Sequence, residues 1–169
     1  LKEFSEINVD NLNPESHQGD KAILDYLNTV SLAKEGKPLA EDLTWNCSDI
    51  PDIVPYMAMV APFVFNKITF SGIARLRIKE SDRVKAIREQ LASVKVNTEE
   101  ADDTLTIFRS VHENDFIDKE IQLSSYHDHR MAMCAVLLAV ILGAKVQIDD
   151  IECIRKSFPE FIDFISNNL

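Results

Sequence analysis

The residues of this 169-residue chain whose types and spacing can do chemistry fall in short clusters, each next to an expected helix start. The densest is Arg-Leu-Arg-Ile-Lys-Glu-Ser-Asp-Arg at 75–83. Free backbone N–H groups at a helix start, joined by Lys79 and Arg83, make an anion site of the kind that takes a phosphate or a carboxylate. Glu80 and Asp82 place carboxylates beside it, and a carboxylate next to a bound anion suits proton transfer better than charge neutralisation. The same string also fits a charged helix cap with surface ion pairs.

A second cluster, His127-Asp128-His129-Arg130, again stands directly before an apolar run. Successive residues seldom converge on one ion and no further ligand is spaced to help them, so no metal is expected there. Arg130 at the mouth of a buried helix suits bidentate binding of a carboxylate or phosphate, while Asp128 also fits a plain capping role. In a third pair, Asp49 and Asp52, either residue can cap a helix while the other faces a cleft. The fourth cluster, Arg155-Lys156-Ser157 before Phe158-Pro159, can hold a phosphate or merely border a core. Each has a structural reading of its own, but all precede helices, so their loops can meet on one edge.

The elements that must position these clusters are legible from apolar spacing. Residues 1–14 are polar and rich in turn formers, which predicts a short strand and a loop. Ile23, Leu24, Leu27 and Val30 predict a helix over 20–30 with Asp20 as its cap. Residues 34–47 show no period and read as a connection. The acidic Asp49 and Asp52 should open a helix that is apolar nearly all round over 53–64, hence buried. A strand follows over 66–72, ended by Gly72. Next come an amphipathic helix through Val84, Ile87, Leu91 and Val94 and a strand over 104–108, with 96–98 as its hairpin partner. The order then returns: an apolar helix over 128–142, a strand through Val146 and Ile148, and a helix turning Phe158, Ile162 and Ile165 inward. This is an internal repeat whose loops carry Lys79 and Lys156 in equivalent places, and His-Gln-Gly-Asp at 17–20 fits the loop of an earlier, truncated copy. The fold class is α/β, with sheets covered by helices on one side.

With 46% apolar and 27% charged residues, the composition is that of one ordinary globular domain rather than a disordered or disulfide-stapled chain. A net charge of -10 without a basic stripe excludes nucleic acid as a partner, yet a few Lys and Arg in one cleft still attract a phosphorylated small molecule. Cys47, Cys134 and Cys153 are odd in number and widely spaced, which fits a reducing cytoplasm. The longest apolar run, 131–142, is well short of the roughly 20 residues a spanning helix needs, and the first residues lack a signal-peptide layout, so no membrane is expected.

Read together, Asp-Ile-Pro-Asp at 49–52, Leu-Arg-Ile-Lys-Glu-Ser-Asp-Arg at 76–83, Asp-His-Arg-Met-Ala-Met at 128–133 and Lys-Ser-Phe-Pro at 156–159 resemble the EPSP synthase (5-enolpyruvylshikimate-3-phosphate synthase) family. Gln-Gly-Asp at 18–20 is similar to a further loop of that family, and the resemblance runs from about residue 16 to the end. It implies the enolpyruvyl transferase fold: two domains, each of repeated β-α-β-α-β-β units, closing on substrates between them. This chain would then be a C-terminal piece, with a strand and loop remnant over 1–15, a partial unit over 16–48 and units over 49–110 and 124–169. The N-terminal half, with its lysine motif and much of the shikimate 3-phosphate site, would be a missing partner, without which the chain is expected to be inactive.

The reaction implied is transfer of the enolpyruvyl group of phosphoenolpyruvate to the 5-hydroxyl of shikimate 3-phosphate through a tetrahedral intermediate, with phosphate released and no cofactor or metal. The resemblance makes Asp52 the acceptor of the hydroxyl proton and a shikimate 3-phosphate contact, and Glu80 the group that handles the methylene proton. It gives Arg83 and Arg130 the phosphoenolpyruvate carboxylate, Lys156 its phosphate and Lys79 shikimate 3-phosphate, with His129 at the site in a role left open. Arg75 stands where some members carry an Asn that contacts substrate, so that contact is not carried over. The stretch 31–48 is also short for a full pair of strands. Competing readings are a domain that binds phosphoenolpyruvate without turnover, and a relative acting on UDP-N-acetylglucosamine, which should lack the 79–83 and 128–130 strings. A phosphohydrolase using His127, Asp128 and His129 with a metal ranks below these.

Overall fold

The computed structural model describes residues 13, 15–34, 43–110 and 112–168. The strand and loop expected over 1–15 lies outside them except at 13 and 15, and so do residues 35–42 of the expected connection. Helix α1 (Ile23–Lys34) follows a 3-10 turn, Gly19–Ala22. Asp20 lies inside that turn rather than capping the helix, and Gln18, at the cap position, makes no side-chain bond to it. The turn is set by close approach: a Cβ on Gly19 would stand 2.4 Å from the carbonyl oxygen of Asp49.

From there the order is β1 (Leu43–Asn46), α2 (Val54–Val60), β2 (Lys67–Ser71), α3 (Arg83–Ser93), β3 (Thr98–Ala101) and β4 (Thr104–Phe108). After a short 3-10 turn come β5 (Glu120–Leu123), α4 (His129–Leu142), β6 (Lys145–Ile148) and α5 (Phe161–Asn168). Strands β1 and β2 pair in parallel across α2, as β5 and β6 do across α4. A parallel pair needs such a crossover, so each pair with its helix is a β-α-β unit. Strands β2, β4 and β3 continue the first sheet antiparallel, in the order β1-β2-β4-β3.

Two strands were not expected. Leu43–Asn46 falls in the stretch read as connection, and Glu120–Leu123 in a polar stretch. The expected helix over 53–64 is also shorter: it starts after turns at 51–53 and passes into a 3-10 turn at Ala61–Phe63. Pro62 has no N–H to continue the α pattern, which accounts for the change. Asp49 and Asp52 therefore precede the helix instead of lying in its first turn.

One core joins most of these parts. Val54, Met57 and Ala58 of α2, Val84, Ile87 and Leu91 of α3, and Met131, Cys134 and Leu138 of α4 lie in a single buried cluster. The same cluster takes Ile68 and Phe70 of β2, Leu105 and Ile107 of β4, and Ile121 and Leu123 of β5. Each Val, Leu, Ile, Met or Phe side chain among them contributes about 1.5–3 kcal/mol by leaving water. Burial alternates along β2 and β4, so one face of the sheet meets the helices, while on the other the hydroxyls of Thr69 and Thr106 lie 2.9 Å apart. Ile154 packs on Ala132 and Met133, holding the 3-10 turn Glu152–Lys156 against the early turns of α4. Among the described residues no helix is long and apolar enough to cross a membrane.

Candidate active site

Arg83 opens α3 and is 1% exposed, and three carboxylates surround its guanidinium. Its Nε donates to Asp128 Oδ2 at 2.7 Å and its Nη2 to Asp128 Oδ1 at 3.3 Å. Nη1 donates to Asp52 Oδ1 at 3.0 Å, and Nη2 also to Glu80 Oε2 at 2.7 Å. Two more cations meet on Asp52: Lys79 Nζ lies 3.3 Å from Oδ1, and Arg130 Nη2 3.2 Å from Oδ2. Arg130 Nη1 also donates to the Asp52 backbone carbonyl at 3.2 Å.

Local sequence explains why these side chains meet. Asp82 caps α3 by accepting from the Lys85 N–H, and Asp128 caps α4 by accepting from the Arg130 N–H. Each cap fixes the first helical turn, from which Arg83 and Arg130 project. Asp52 sits in the turns before α2, which packs on both other helices. Glu80 and Lys79 come from the short link after the 3-10 turn Ala74–Ile78, whose Leu76 is buried.

The electrostatics follow from these contacts. Burial works to raise the Asp52 pKa, but Arg130, Lys79 and Arg83 outweigh it and hold the carboxyl below its usual range. Asp128 behaves likewise: its burial is overcome by Arg83, the Arg130 N–H and Ser81. For Arg83, burial disfavours the charge, and hydrogen bonding and attraction to Asp128 win. His129, mostly buried with Nδ1 4.0 Å from Asp128 Oδ1, has its pKa lowered, chiefly by burial, against the pull of Asp128.

Of the residues singled out in the sequence, Asp52, Lys79, Glu80, Arg83 and Arg130 form one network, with His129 beside it. Asp49, Arg75 and Lys156 are exposed and outside it. Lys156 ends the turn that Ile154 anchors to α4, and it has no ion-pair partner among the described residues, whereas its neighbour Arg155 pairs with Glu152 at 2.5 Å. His127 turns away to Asp150, 3.1 Å from its carboxylate, so His127, Asp128 and His129 do not converge. Among the described residues no three His, Cys, Asp or Glu side chains are placed to hold a metal.

Sequence reasoning missed two supports. The sequence marks Asp128 as a cap, as part of the 128–133 string or as a metal ligand, not as a partner of Arg83, yet its side chain is fully buried on Arg83. Asp149, at the end of β6, accepts from the Ser124 hydroxyl at 2.6 Å and the Ser125 N–H at 2.7 Å. It thereby steadies a loop in which Tyr126 and His127 both have positive φ, just before Asp128. Nothing in the local pattern of residues marks a loop-to-strand contact of that separation.

The sequence matches the family model of EPSP synthase (3-phosphoshikimate 1-carboxyvinyltransferase) over residues 2–165. A 3-phosphoshikimate 1-carboxyvinyltransferase of Clostridium acetobutylicum is 35% identical over 161 residues, covering 92% of this chain and 36% of that relative. One of Methanocaldococcus jannaschii is 30% identical over 172 residues, covering 96% of this chain and 39% of the relative. This chain thus spans well under half the length of the curated relatives it matches. The fold is similar to that of a solved EPSP synthase from Acinetobacter baumannii, with a TM-score of 0.54 at 23% identity over 72% of this chain and 27% of that one. On the match across nearly its whole length, the chain belongs to the EPSP synthase family.

Proposed function

We propose that this chain supplies the phosphoenolpyruvate side of an enolpyruvyl transferase site, acting with a further part of such an enzyme to move the enolpyruvyl group to the 5-hydroxyl of shikimate 3-phosphate. The observation that carries the reading is that Asp52, Lys79, Glu80, Arg83 and Arg130, from three separate segments, share one ion-pair network. Three cations, Lys79, Arg83 and Arg130, meet on the partly exposed Asp52 carboxylate, an arrangement in which an anionic substrate can take the place of that carboxylate.

In this reading Arg83 and Arg130 take the carboxylate of phosphoenolpyruvate, Lys156 its phosphate, and Lys79 reaches shikimate 3-phosphate. Asp52 now holds both arginines, so an arriving carboxylate exchanges with it. Once freed of those cations Asp52 returns toward ordinary basicity, which suits it to accept the proton of the attacking hydroxyl. Glu80, protonated when the substrates are bound, gives its proton to the methylene carbon as the carbon–oxygen bond forms at C2. It takes one back from the resulting methyl as the C2–phosphate oxygen bond breaks, and the departing phosphate carries off the hydroxyl proton that Asp52 held. The fixed cations stabilise the charge that develops, which is usually the largest catalytic contribution. A reducing compartment such as the cytoplasm belongs to this reading, and the free, buried Cys47 and Cys134 are consistent with it.

The test is phosphate release from phosphoenolpyruvate with shikimate 3-phosphate, using the chain alone and mixed with a piece of a family member covering the length it does not match. Turnover is expected in the mixture, and Glu80→Gln should lower kcat by about 100-fold or more while leaving KM nearly unchanged. Undiminished turnover in that variant removes Glu80 from the proton path. Silence from pieces shown to associate leaves phosphoenolpyruvate binding without chemistry as the better account.

A further inference from the structure

A guanidinium has two edges that can each receive a planar carboxylate: the side edge, with Nε and Nη2, and the end, with Nη1 and Nη2. In Arg83 the side edge belongs to Asp128, at 2.7 and 3.3 Å. The end faces Asp52 and Glu80, whose side chains are 34% and 36% exposed. The two edges therefore differ in surroundings: one is sealed in the core by a fully buried carboxylate, the other is covered only by two partly exposed ones.

Asp128 has no means of touching a ligand itself. Its side chain is 0% exposed, and both oxygens are committed, Oδ2 to Arg83 Nε and the Ser81 hydroxyl, Oδ1 to Arg83 Nη2 and the Arg130 N–H. The last of these contacts caps α4, from whose first turn Arg130 reaches across to Asp52. One buried carboxylate thus fixes the orientation of Arg83 and, through the same two oxygens, its distance from the helix end that carries Arg130.

We propose that Asp128 is a positioning residue: by sealing the Nε edge of Arg83 and capping α4, it presents the end of that guanidinium, beside Arg130, to an incoming carboxylate. The identity of that carboxylate as phosphoenolpyruvate rests on the reading above; the sealing of the edge does not. Replacing Asp128 by Asn isolates the effect, because Asn caps helices as well as Asp does. The amide keeps one acceptor oxygen and turns an N–H₂ donor toward a donor, so one of the two side-edge hydrogen bonds is lost along with the charge.

The measurement is the Nε–H signal of Arg83 in nitrogen-edited NMR of the intact chain, assigned by its loss in Arg83→Lys. In the unaltered chain its exchange with water should be at least about tenfold slower than that of exposed Arg75, as a hydrogen-bonded buried donor requires. Exchange as fast as that of Arg75 overturns the proposal without any variant. On titration with phosphoenolpyruvate, the Nη signals of Arg83 should move and the Nε signal stay; movement of Nε together with loss of its protection overturns it. No response at any arginine removes phosphoenolpyruvate as the ligand, and the exchange rate then decides the role of Asp128 alone. In Asp128→Asn, with the helical circular dichroism retained, protection should fall and binding weaken by about tenfold or more. Protection and affinity both unchanged in a folded Asp128→Asn chain sink the proposal.

Discussion

At the scale of single residues, pH separates the groups around Arg83. His129 is buried enough that its folded pKa lies below the usual value of about 6.5. As pH falls, the unfolded chain takes up that proton first, so stability is flat above about 6.5 and declines below it until the folded pKa is reached. The expected slope is at most about 1.4 kcal/mol per pH unit, and His129→Gln should abolish it. Urea unfolding at a series of pH values checks this, and an identical slope in both proteins would show that His129 is not its source. Asp52 and Asp128 act in a lower window. Their folded pKa values are depressed, so the stability they confer is present above the unfolded value of about 3.9 and is lost as pH falls through the folded values. The two losses have one sign, and on lowering the pH the histidine loss sets in first, near its unfolded value of about 6.5.

At the scale of elements, the link from β2 to Lys79 and Glu80 depends on one backbone position. Gly72 has φ +71, and a Cβ there would stand 2.2 Å from Ser48 Oγ and 2.9 Å from the Ser48 nitrogen. Gly72→Ala combines left-handed strain with overlap against backbone, so it should cost about 2–4 kcal/mol in urea unfolding. A variant as stable as the parent would mean that the turn relaxes freely. That Gly72 ends a strand was legible in the sequence, and so were α3, α4 and β4, because each carries an apolar period long or regular enough to stand out. The four-residue Leu43–Asn46 was not: only two of its positions are apolar, and its place is fixed by parallel pairing to Lys67–Ser71, a contact no local window contains. Glu120–Leu123 does alternate, with Ile121 and Leu123 buried, but four residues amid charged neighbours give a weak signal. For the site, residue types marked Asp52, Lys79, Glu80, Arg83 and Arg130. The partners that orient them, Asp128 with Arg83 above all, follow from the way α3 and α4 pack and had no trace in spacing.

At the scale of the whole molecule, the shared core makes stability uneven along the chain. Helix α4 is surrounded: Met131, Ala132, Cys134, Ala135 and Leu138 are 0% exposed, and its neighbours include α2, β6 and the turn Glu152–Lys156. Opening it means dismantling the cluster that holds both sheets. Helix α5 is short and keeps Ile162 and Phe164 41% and 54% exposed, and α1 leaves Leu24 and Leu27 each 51% exposed, with Tyr26 the one fully buried side chain among its described residues. Local opening free energy scales with the apolar contacts a segment must break, so these two helices should open well before the global transition. Hydrogen exchange read by mass spectrometry should therefore find amides of α4, β2 and β4 slowest, and those of α1 and α5 faster by about 100-fold or more. The site lies on the slow side of that divide, since Arg83 and Arg130 start helices built into the core and Asp52 leads into α2. Lys156, outside the network, stands between the anchored Ile154 and the exposed α5, so its amide should exchange at a rate between those of α4 and α5. Protection of α5 equal to that of α4 in dilute solution would contradict this ordering and place the C-terminal helix in the same cooperative unit as the core.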